Sequence, residues 1–267
     1  MPTVNDVLEF LTSIAPVEMK MEFDNIGLLV GRSGGDASKI IVSLDITHDV
    51  ISEALDTGAG LIVSHHPLFI SLKNVTDTDI AGDKAIRLLS GGISAICMHT
   101  NLDAARGGTG DTLAQAAGIS KGFDEAELLA ADGKLENGQV FSYGRFGLLE
   151  KPIPLREYLP LLKTSLNADG LRYHDAGKDV FKIACVGGSG GDALAHAVRQ
   201  NCDTFITADI KYSAFLQAKE LGINLIDGGH FPTENLLIAP LSEKLSAAFP
   251  EACVTVSKRH GQTVRFC

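Results

Sequence analysis

Two adjacent histidines, His65 and His66, close an apolar run (Leu61-Ile62-Val63-Ser64) and stand directly before Pro67. Neutral imidazole is the commonest metal ligand in proteins. An apolar run that ends in polar residues is typical of a buried parallel strand whose C-terminal end opens into a binding crevice. The histidine pair therefore indicates a metal site at the end of a strand.

The spacing of the pair restricts its geometry. Successive side chains of a strand point to opposite faces, so His65 and His66 cannot both face one centre from within a continued strand. We expect them at the end of the strand, with each ring serving a different atom or with a turn bringing both rings round. Pro67 favours an extended conformation at His66 and ends the strand pairing.

Polar residues at two further strand ends add the other donors that a metal site needs. Asp103 closes the run His99-Thr100-Asn101-Leu102-Asp103, and His230 and Glu234 lie in Gly229-His230-Phe231-Pro232-Thr233-Glu234. Pro232 helps to start a helix whose first turn contains Glu234. Together with the histidine pair, these donors suit Zn, Fe, Mn or Co better than Ca, which prefers oxygen ligands.

The number of donors predicts two metal ions. A typical catalytic zinc takes three protein ligands, and the sequence offers more: His65, His66, Asp103, His230 and Glu234. Because a carboxylate such as Glu234 can bridge, this set fits two divalent ions with open coordination positions. Such a pair can polarise an oxygen and generate hydroxide near neutral pH. We expect two divalent ions per chain, of Zn, Fe, Mn or a similar metal.

Each of these residues also has a structural interpretation. A single histidine could cap a helix or satisfy a core hydrogen bond, Asp103 could belong to a turn, and Glu234 could be a first-turn helix carboxylate. Their joint occurrence at strand ends favours the metal site. His99 is predicted to be a hydrogen-bond partner of a ligand or a proton shuttle, with a buried structural role equally open. In the catalytic interpretation, Glu234 and His99 act in the reaction.

The remaining histidines have no partner cluster in the sequence, and we expect them on the surface or at helix caps: His48, His174, His196 and His260. A glycine-rich turn, Gly187 to Asp192, follows one strand and opens a helix, which is a geometry that cradles phosphate. It lacks the lysine of a P-loop, so a tight glycine connection is an equally good interpretation.

Composition narrows the classes of function. The formal net charge is −10 and no dense Lys/Arg run occurs, which argues against nonspecific nucleic-acid binding or binding to an anionic membrane surface. The N-terminal residues lack the basic flank of a signal peptide, and no stretch is long enough to cross a bilayer. We expect a cytoplasmic protein that acts on a small molecule. The five cysteines form no CxxC pair, so a thiolate zinc site is not expected.

Short apolar runs alternate with helical patterns in both halves of the chain. Strands are predicted at 39–47, 60–64, 93–98, 180–186, 204–207 and 223–226, and helices at 48–57, 84–90, 112–117, 152–166, 193–199 and 212–221. This order predicts an α/β fold with parallel strands and right-handed crossovers. A strand near 140–147 is predicted to be more exposed and antiparallel.

The strand-helix-strand-helix-strand pattern occurs at 40–98 and again at 180–226, which indicates a weak internal duplication. We expect two similar α/β lobes with mainly parallel sheets and a dinuclear metal site in the cleft between them. Because the acidic stretch from 120 changes the character of the chain, we place the domains at 1–125 and 126–267. The helix and strand after 230 are expected to pack back on the first lobe.

Five ordered motifs resemble those of the GTP cyclohydrolase I type 2 family, also called the NIF-three-like proteins. They are Phe23-Asp24-Asn25-Ile26-Gly27-Leu28-Leu29-Val30-Gly31, Ser64-His65-His66-Pro67, His99-Thr100-Asn101-Leu102-Asp103, Gly187-Gly188-Ser189-Gly190 and Gly229-His230-Phe231-Pro232-Thr233-Glu234. The resemblance covers nearly the whole chain and corresponds to the short form of the family. It implies that His66 and Asp103 hold one metal, that His65 and His230 hold the other, and that Glu234 touches both. It also implies a toroidal homohexamer.

The resemblance further implies a metal-dependent hydrolase that uses metal-activated water on a nucleotide or a related heterocyclic or phosphate compound. A non-enzymatic metal carrier or regulatory scaffold is the alternative, and a structural metal that staples the lobes is a third interpretation. Two positions depart from the family pattern. Phe23 replaces a frequent Trp and is expected to pack, and Ser213 stands where many members carry His.

Overall fold

The computed structural model describes residues 1–119 and 126–267. These residues form two compact units, 1–102 with 237–261 and 103–236 with 262–267. The domain boundary predicted between 125 and 126, like the acidic stretch that suggested it, falls at 120–125, outside the described residues. That boundary stays a prediction.

Helices and strands alternate along much of the chain. The helices are α1 (Val4–Ile14), α2 (His48–Thr57), α3 (Ile80–Ser90), α4 (Thr100–Ala104), α5 (Thr109–Ala116), α6 (Leu155–Ser165), α7 (Leu194–Arg199), α8 (Tyr212–Leu221), α9 (His230–Glu234) and α10 (Ile238–Ala248). The strands are β1 (Gly27–Val30), β2 (Lys39–Ser43), β3 (Leu61–Ser64), β4 (Ser94–Cys97), β5 (Glu127–Leu128), β6 (Gly133–Lys134), β7 (Val140–Phe141), β8 (Gly144–Ile153), β9 (Arg172–His174), β10 (Val180–Val186), β11 (Thr204–Thr207), β12 (Asn224–Asp227) and β13 (Cys253–Val256). This confirms the predicted α/β fold class.

The first unit is built on a sheet with the order β1-β4-β3-β2-β13. The pairings β4-β3, β3-β2 and β2-β13 are parallel, and β1 runs antiparallel to β4. All four residues of β3 and of β4 are buried, as their mainly apolar character predicts for strands covered on both faces. Ile62 of β3 packs in one cluster with Val50 of α2 and Leu88 of α3. Burial of each such side chain contributes about 1.5–3 kcal/mol to folding.

The second unit contains a mixed sheet with the order β5-β8-β10-β11-β12-β9. Its central strands β10, β11 and β12 are parallel, as predicted. The outer strands are antiparallel. One of them, β8, overlaps the strand expected near 140–147 and has the expected direction, but the expected exposure is wrong there because its residues 144–147 are buried. The core of this unit packs Ile183 and Ile206 against Leu162 of α6.

Several helices begin at other residues than the sequence pattern predicts. Helix α3 starts at Ile80 instead of Lys84 because the carboxylate of Asp79 caps it and accepts from the backbone N–H of Gly82 at 3.0 Å. Helix α6 starts at Leu155, since β8 continues through Ile153. Among the described residues, no helix combines the length and the apolar character needed to cross a membrane.

Candidate metal centre

Strand β3 ends at Ser64, and His65 and His66 lie directly beyond it, as predicted. The backbone N–H of His65 donates to the carbonyl of Ser43 at 3.2 Å, and that of His66 donates to Leu44 at 2.8 Å. Their ring centroids are 5.1 Å apart and the ring planes differ by 42°. The bend after the strand thus brings the two rings beside each other, which is the second of the two geometries expected.

His99 completes a group of three imidazoles in the first unit. Its ring centroid lies 5.3 Å from that of His65 and 5.6 Å from that of His66. One nitrogen from each of the three rings lies within 4.8 Å of the others. The structure therefore places His99 as a further candidate ligand as well as a candidate proton shuttle.

The Nδ1 atom of each ring is held by an oxygen acceptor. Nδ1 of His65 lies 2.9 Å from the carbonyl oxygen of Met98. Nδ1 of His66 lies 2.7 Å from Oδ1 of Asp45, and Nδ1 of His99 lies 2.8 Å from Oδ1 of Asp24. Carbonyls and ionised carboxylates only accept, so Nδ1 carries the proton and the lone pair of the neutral ring is on Nε2. Metal-binding histidines are typically fixed in this way.

Asp24 is a carboxylate with a buried side chain that accepts from several donors at once. Besides His99, it accepts from the backbone N–H of Thr100 at 3.0 Å, from the Thr100 hydroxyl at 2.5 Å and from the backbone N–H of Asn25 at 2.8 Å. Burial alone would raise the pKa of Asp24, but the hydrogen bonds from His99 and Thr100 outweigh it and hold the pKa well below its usual range. The group is therefore an ionised acceptor at neutral pH.

Asp45 plays the corresponding part for His66, and it also contacts a second histidine. Nε2 of His260 lies 2.9 Å from Oδ2 of Asp45, and the His260 side chain is only 10% exposed. Burial would raise the pKa of Asp45, yet the hydrogen bonds from His260 and His66 hold it well below its usual range. The expectation that His260 lies on the surface or at a cap is wrong, because its partner is distant in the sequence.

In the second unit, α9 places His230 and Glu234 one turn apart. Nε2 of His230 lies 3.0 Å from Oε2 of Glu234, whose side chain is 4% exposed. Nδ1 of His230 lies 2.7 Å from Oδ2 of Asp209, so this ring is anchored through Nδ1 like the rings of the first unit, while its Nε2 faces Glu234. Asp209 has a left-handed φ of +52°, a conformation that non-glycine residues adopt sparingly and that is concentrated at functional sites.

A carboxylate oxygen of Asp103 lies within 4.8 Å of one of Glu234, so two predicted carboxylate ligands meet in this unit. The chain beyond Asp103 is held by a buried ion pair. Arg145 contacts Asp111 through Nε, and both side chains are fully buried. Nη2 of Arg145 donates to the carbonyl of Ala104 at 3.1 Å, which fixes the residue next to Asp103.

The glycine-rich turn lies directly against the second-unit donors. A Cβ atom at Gly188 would stand 2.0 Å from Oε1 of Glu234 and 3.1 Å from Nε2 of His230. The N–H of Gly188 donates to the Thr233 hydroxyl at 3.1 Å, and that of Gly190 to the Thr207 hydroxyl at 2.9 Å. These contacts favour the tight-connection interpretation over a phosphate cradle, because the turn makes room for the carboxylate.

The structure thus groups the predicted residues as His65, His66 and His99 in the first unit and Asp103, His230 and Glu234 in the second. This donor set, with each imidazole oriented through Nδ1, fits divalent transition metals. Sequence reasoning missed the carboxylates that orient the rings: Asp24, Asp45 and Asp209.

The expected packing role of Phe23, the residue before Asp24, is wrong, because this side chain is 61% exposed.

Three comparisons place the chain among known proteins. A sequence model of the family Duf34/NIF3 (NGG1p interacting factor 3) matches residues 2–262. A Clostridium perfringens protein named GTP cyclohydrolase 1 type 2 homolog is 37% identical over 246 residues, covering 91% of this chain and 90% of the relative. A Helicobacter pylori protein named GTP cyclohydrolase 1 type 2 is 33% identical over 235 residues, covering 88% of each.

The fold has a solved counterpart. The crystal structure of a Bacillus cereus protein related to NIF3 superposes with a TM-score of 0.91 at 21% identity, over 100% of this chain and 99% of that chain. At that identity the likeness shows the shared fold.

Proposed function

The chain belongs to the Duf34/NIF3 family, and on that premise we propose that it is a dinuclear divalent-metal-binding protein that works as a metal-dependent hydrolase. In this proposal the ligands are His65, His66, Asp103, His230 and Glu234. By the family resemblance, His66 and Asp103 would hold one ion, His65 and His230 would hold the other, and Glu234 would touch both.

The observation that carries the proposal is the shared orientation of four imidazoles. Nδ1 of His65, His66, His99 and His230 each lies 2.7–2.9 Å from a carboxylate or carbonyl oxygen. All four rings are anchored through Nδ1, which leaves Nε2 as the nitrogen that each ring would present to a metal. The glycine at 188 is a second support, because it leaves space in front of Glu234.

When bound, the metal pair supplies an activated water and a Lewis acid for the substrate oxygen. The side chains of the protein position the reacting groups and transfer protons. The carboxylate of Glu234 is almost fully buried and lies 3.0 Å from Nε2 of His230, so it is suited to accept a proton from a water molecule held beside it. His99 is 18% exposed at its side chain and is anchored to Asp24, which suits a ring that passes a proton to solvent.

The substrate class that we propose is a nucleotide or a related heterocyclic or phosphate compound. Its support is the name of the Helicobacter pylori relative, which describes that protein as a GTP cyclohydrolase. We also propose a toroidal homohexamer, on the family resemblance alone. Sedimentation analysis of the purified chain tests the assembly, and a monomer at micromolar concentration would contradict it.

Metal content and turnover test the function together. The protein is loaded separately with Zn, Fe and Mn, its metal is counted by elemental analysis, and hydrolysis is assayed on nucleotides and cyclic amides. We expect two ions per chain and turnover that Glu234→Gln and Asp103→Asn abolish. Glu157→Gln, an exposed helix glutamate, is the matched control and should behave as wild type.

Full metal occupancy without turnover on any of these substrates would contradict the hydrolase. Fast exchange and transfer of the metal to a recipient protein would then support the metal carrier or scaffold. Chelation that lowers only the melting temperature would support a structural metal.

A further inference from the structure

We propose that His260 is a positioning residue that holds Asp45 in the orientation in which it fixes the ring of His66. The inference rests on the proposed function, because it concerns the same candidate ligand. It adds a residue from the C-terminal segment to the machinery that presents His66 to a metal.

The first step is the geometry of a single carboxylate. Oδ1 of Asp45 lies 2.7 Å from Nδ1 of His66, and Oδ2 lies 2.9 Å from Nε2 of His260. The Asp45 side chain is 40% exposed, so with His66 alone it could turn towards water and leave the ring. Because each oxygen has a contact, the Asp45 carboxylate is held against rotation about its Cβ–Cγ bond. Oδ1 therefore stays in place as the acceptor for His66.

The second step is how His260 reaches this position. Its segment is clamped on α2 by Glu53, whose carboxylate accepts from the Ser257 hydroxyl at 2.5 Å and from the backbone N–H of Lys258 at 3.0 Å and of Arg259 at 3.3 Å. Glu53 is only 8% exposed. This run of contacts defines a latch, the segment 257–260, that ends at the Asp45 contact.

The third step compares the two carboxylates that orient rings in this unit. Asp24 holds His99 and is itself held by neighbours, because Thr100 and Asn25 donate to it. Asp45 receives the corresponding support from His260. The latch thus does for His66 what the adjacent backbone does for His99, and a purely structural latch would not need a histidine at its end.

The test uses two substitutions at one position and a matched control next to it. His260→Leu removes the contact, whereas His260→Gln keeps an N–H that can donate to Asp45. Arg259→Gln removes another latch contact, from Nη2 to Asp56 at 2.6 Å, without touching Asp45. The readouts are the affinity for Zn, measured against a competing chelator, and the ¹⁵N signals of the His66 ring in metal-free protein.

We expect His260→Leu to weaken Zn binding by up to about 10-fold, the lower end of what loss of a partner that orients a ligand costs, because Asp45 itself remains. We also expect the His66 signals to shift towards mixed tautomers. His260→Gln should recover most of the affinity, and Arg259→Gln should leave both readouts at wild-type values.

Unchanged Zn affinity and an unchanged His66 spectrum in His260→Leu would overturn the inference. Equal losses in the Leu and Gln variants would also overturn it, because packing would then explain the effect. If His260→Leu does not fold, His260→Gln must retain the wild-type spectrum for the inference to stand. Wild-type protein that binds no metal would instead sink the proposed function, and the metal-free ring spectrum would still decide the role of His260.

Discussion

The carboxylate of Asp24 is the buried acceptor that fixes the ring of His99, with Oδ1 2.8 Å from Nδ1. The same carboxylate accepts from two groups of Thr100, so every contact requires an acceptor. An amide in its place would turn an N–H towards at least one donor. The ring orientation of His99 therefore depends on a charge rather than on shape.

Asp24→Asn tests this dependence. In Asp24→Asn the new amide N–H would face a buried N–H or O–H donor, and one of the two donors would lose its acceptor. We therefore expect the free energy of unfolding to fall by about 1–3 kcal/mol. Turnover should fall about 10–100-fold, because the ring of His99, the proposed proton shuttle, loses its fixed tautomer. Asp36→Asn, an exposed carboxylate that accepts from Ser38, is the control. Denaturant unfolding and the hydrolysis assay measure the two effects, and wild-type turnover in Asp24→Asn would contradict the role of His99.

Gly188→Ala tests the close approach of the glycine turn to Glu234. Its Cβ would stand 2.0 Å from Oε1 of Glu234, and the residue has a left-handed φ of +57°. We expect Gly188→Ala to bind fewer metal ions per chain than wild type. We also expect its free energy of unfolding to fall by about 1–2 kcal/mol, because alanine disfavours the left-handed backbone. Gly191→Ala is the matched control, since its Cβ would meet no atom within 4 Å. A metal count equal to that of wild type in Gly188→Ala would argue against Glu234 as a ligand.

Arg145→Met tests the buried ion pair next to Asp103. The substitution removes the buried cation in contact with Asp111 and leaves it with Arg106, 3.6 Å away, and the backbone N–H of Gly107. We therefore expect a loss at the lower end of the about 3–5 kcal/mol that breaking a buried ion pair costs. The double variant Arg145→Met with Asp111→Leu should recover part of that loss, because no charge remains buried. Arg156→Met, on the exposed part of α6, is the control for loss of an arginine. Urea unfolding gives the comparison, and a double variant no more stable than the single one would contradict the explanation.

Glu53→Gln tests the latch through its pH dependence. Burial raises the pKa of Glu53, but the hydrogen bonds from Ser257 and from the backbone of Lys258 and Arg259 outweigh it and lower the pKa from its ordinary value. A lowered folded-state pKa gives stability that is present above the unfolded-state value, about 4.3, and is lost as the pH falls through the folded-state value.

We therefore expect Glu53→Gln to be less stable than wild type at pH 7, by about 1–2 kcal/mol. The difference should shrink towards zero as the pH is lowered below 4, because wild type loses its charge there. Thermal melts at matched ionic strength follow the two proteins. A difference that stays constant across this range would show that the carboxylate charge does not hold the latch.

The sequence predicts those features that depend on residues close to one another in the chain. His65 and His66 were identifiable because an unbroken apolar run precedes them, and α2 and α8 have the predicted bounds because their periodicity and their glycine ends are local. Strand β9, Arg172–His174, was missed since a three-residue edge strand, two of whose residues are exposed, carries no alternation.

The partners that orient the rings were missed for a different reason. Asp45 belongs to a run that was predicted as strand throughout, and its role depends on a histidine 21 residues later and on one near the end of the chain. Such pairings arise only when the sheet has formed. Asp24 lies in a motif that the resemblance highlighted, so the signal was present without the contact that explains it.

The pairing of β13 with β2 sets an order for biosynthesis. Ribosomes release the N-terminal end first, so β2 waits with an open edge until Cys253–Val256 have been made. An unpaired edge strand is a site for wrong association. Ribosome-bound chains that stop before β13 should therefore depend on chaperones, and the surroundings of His66 are completed only after the segment 257–260 has been made.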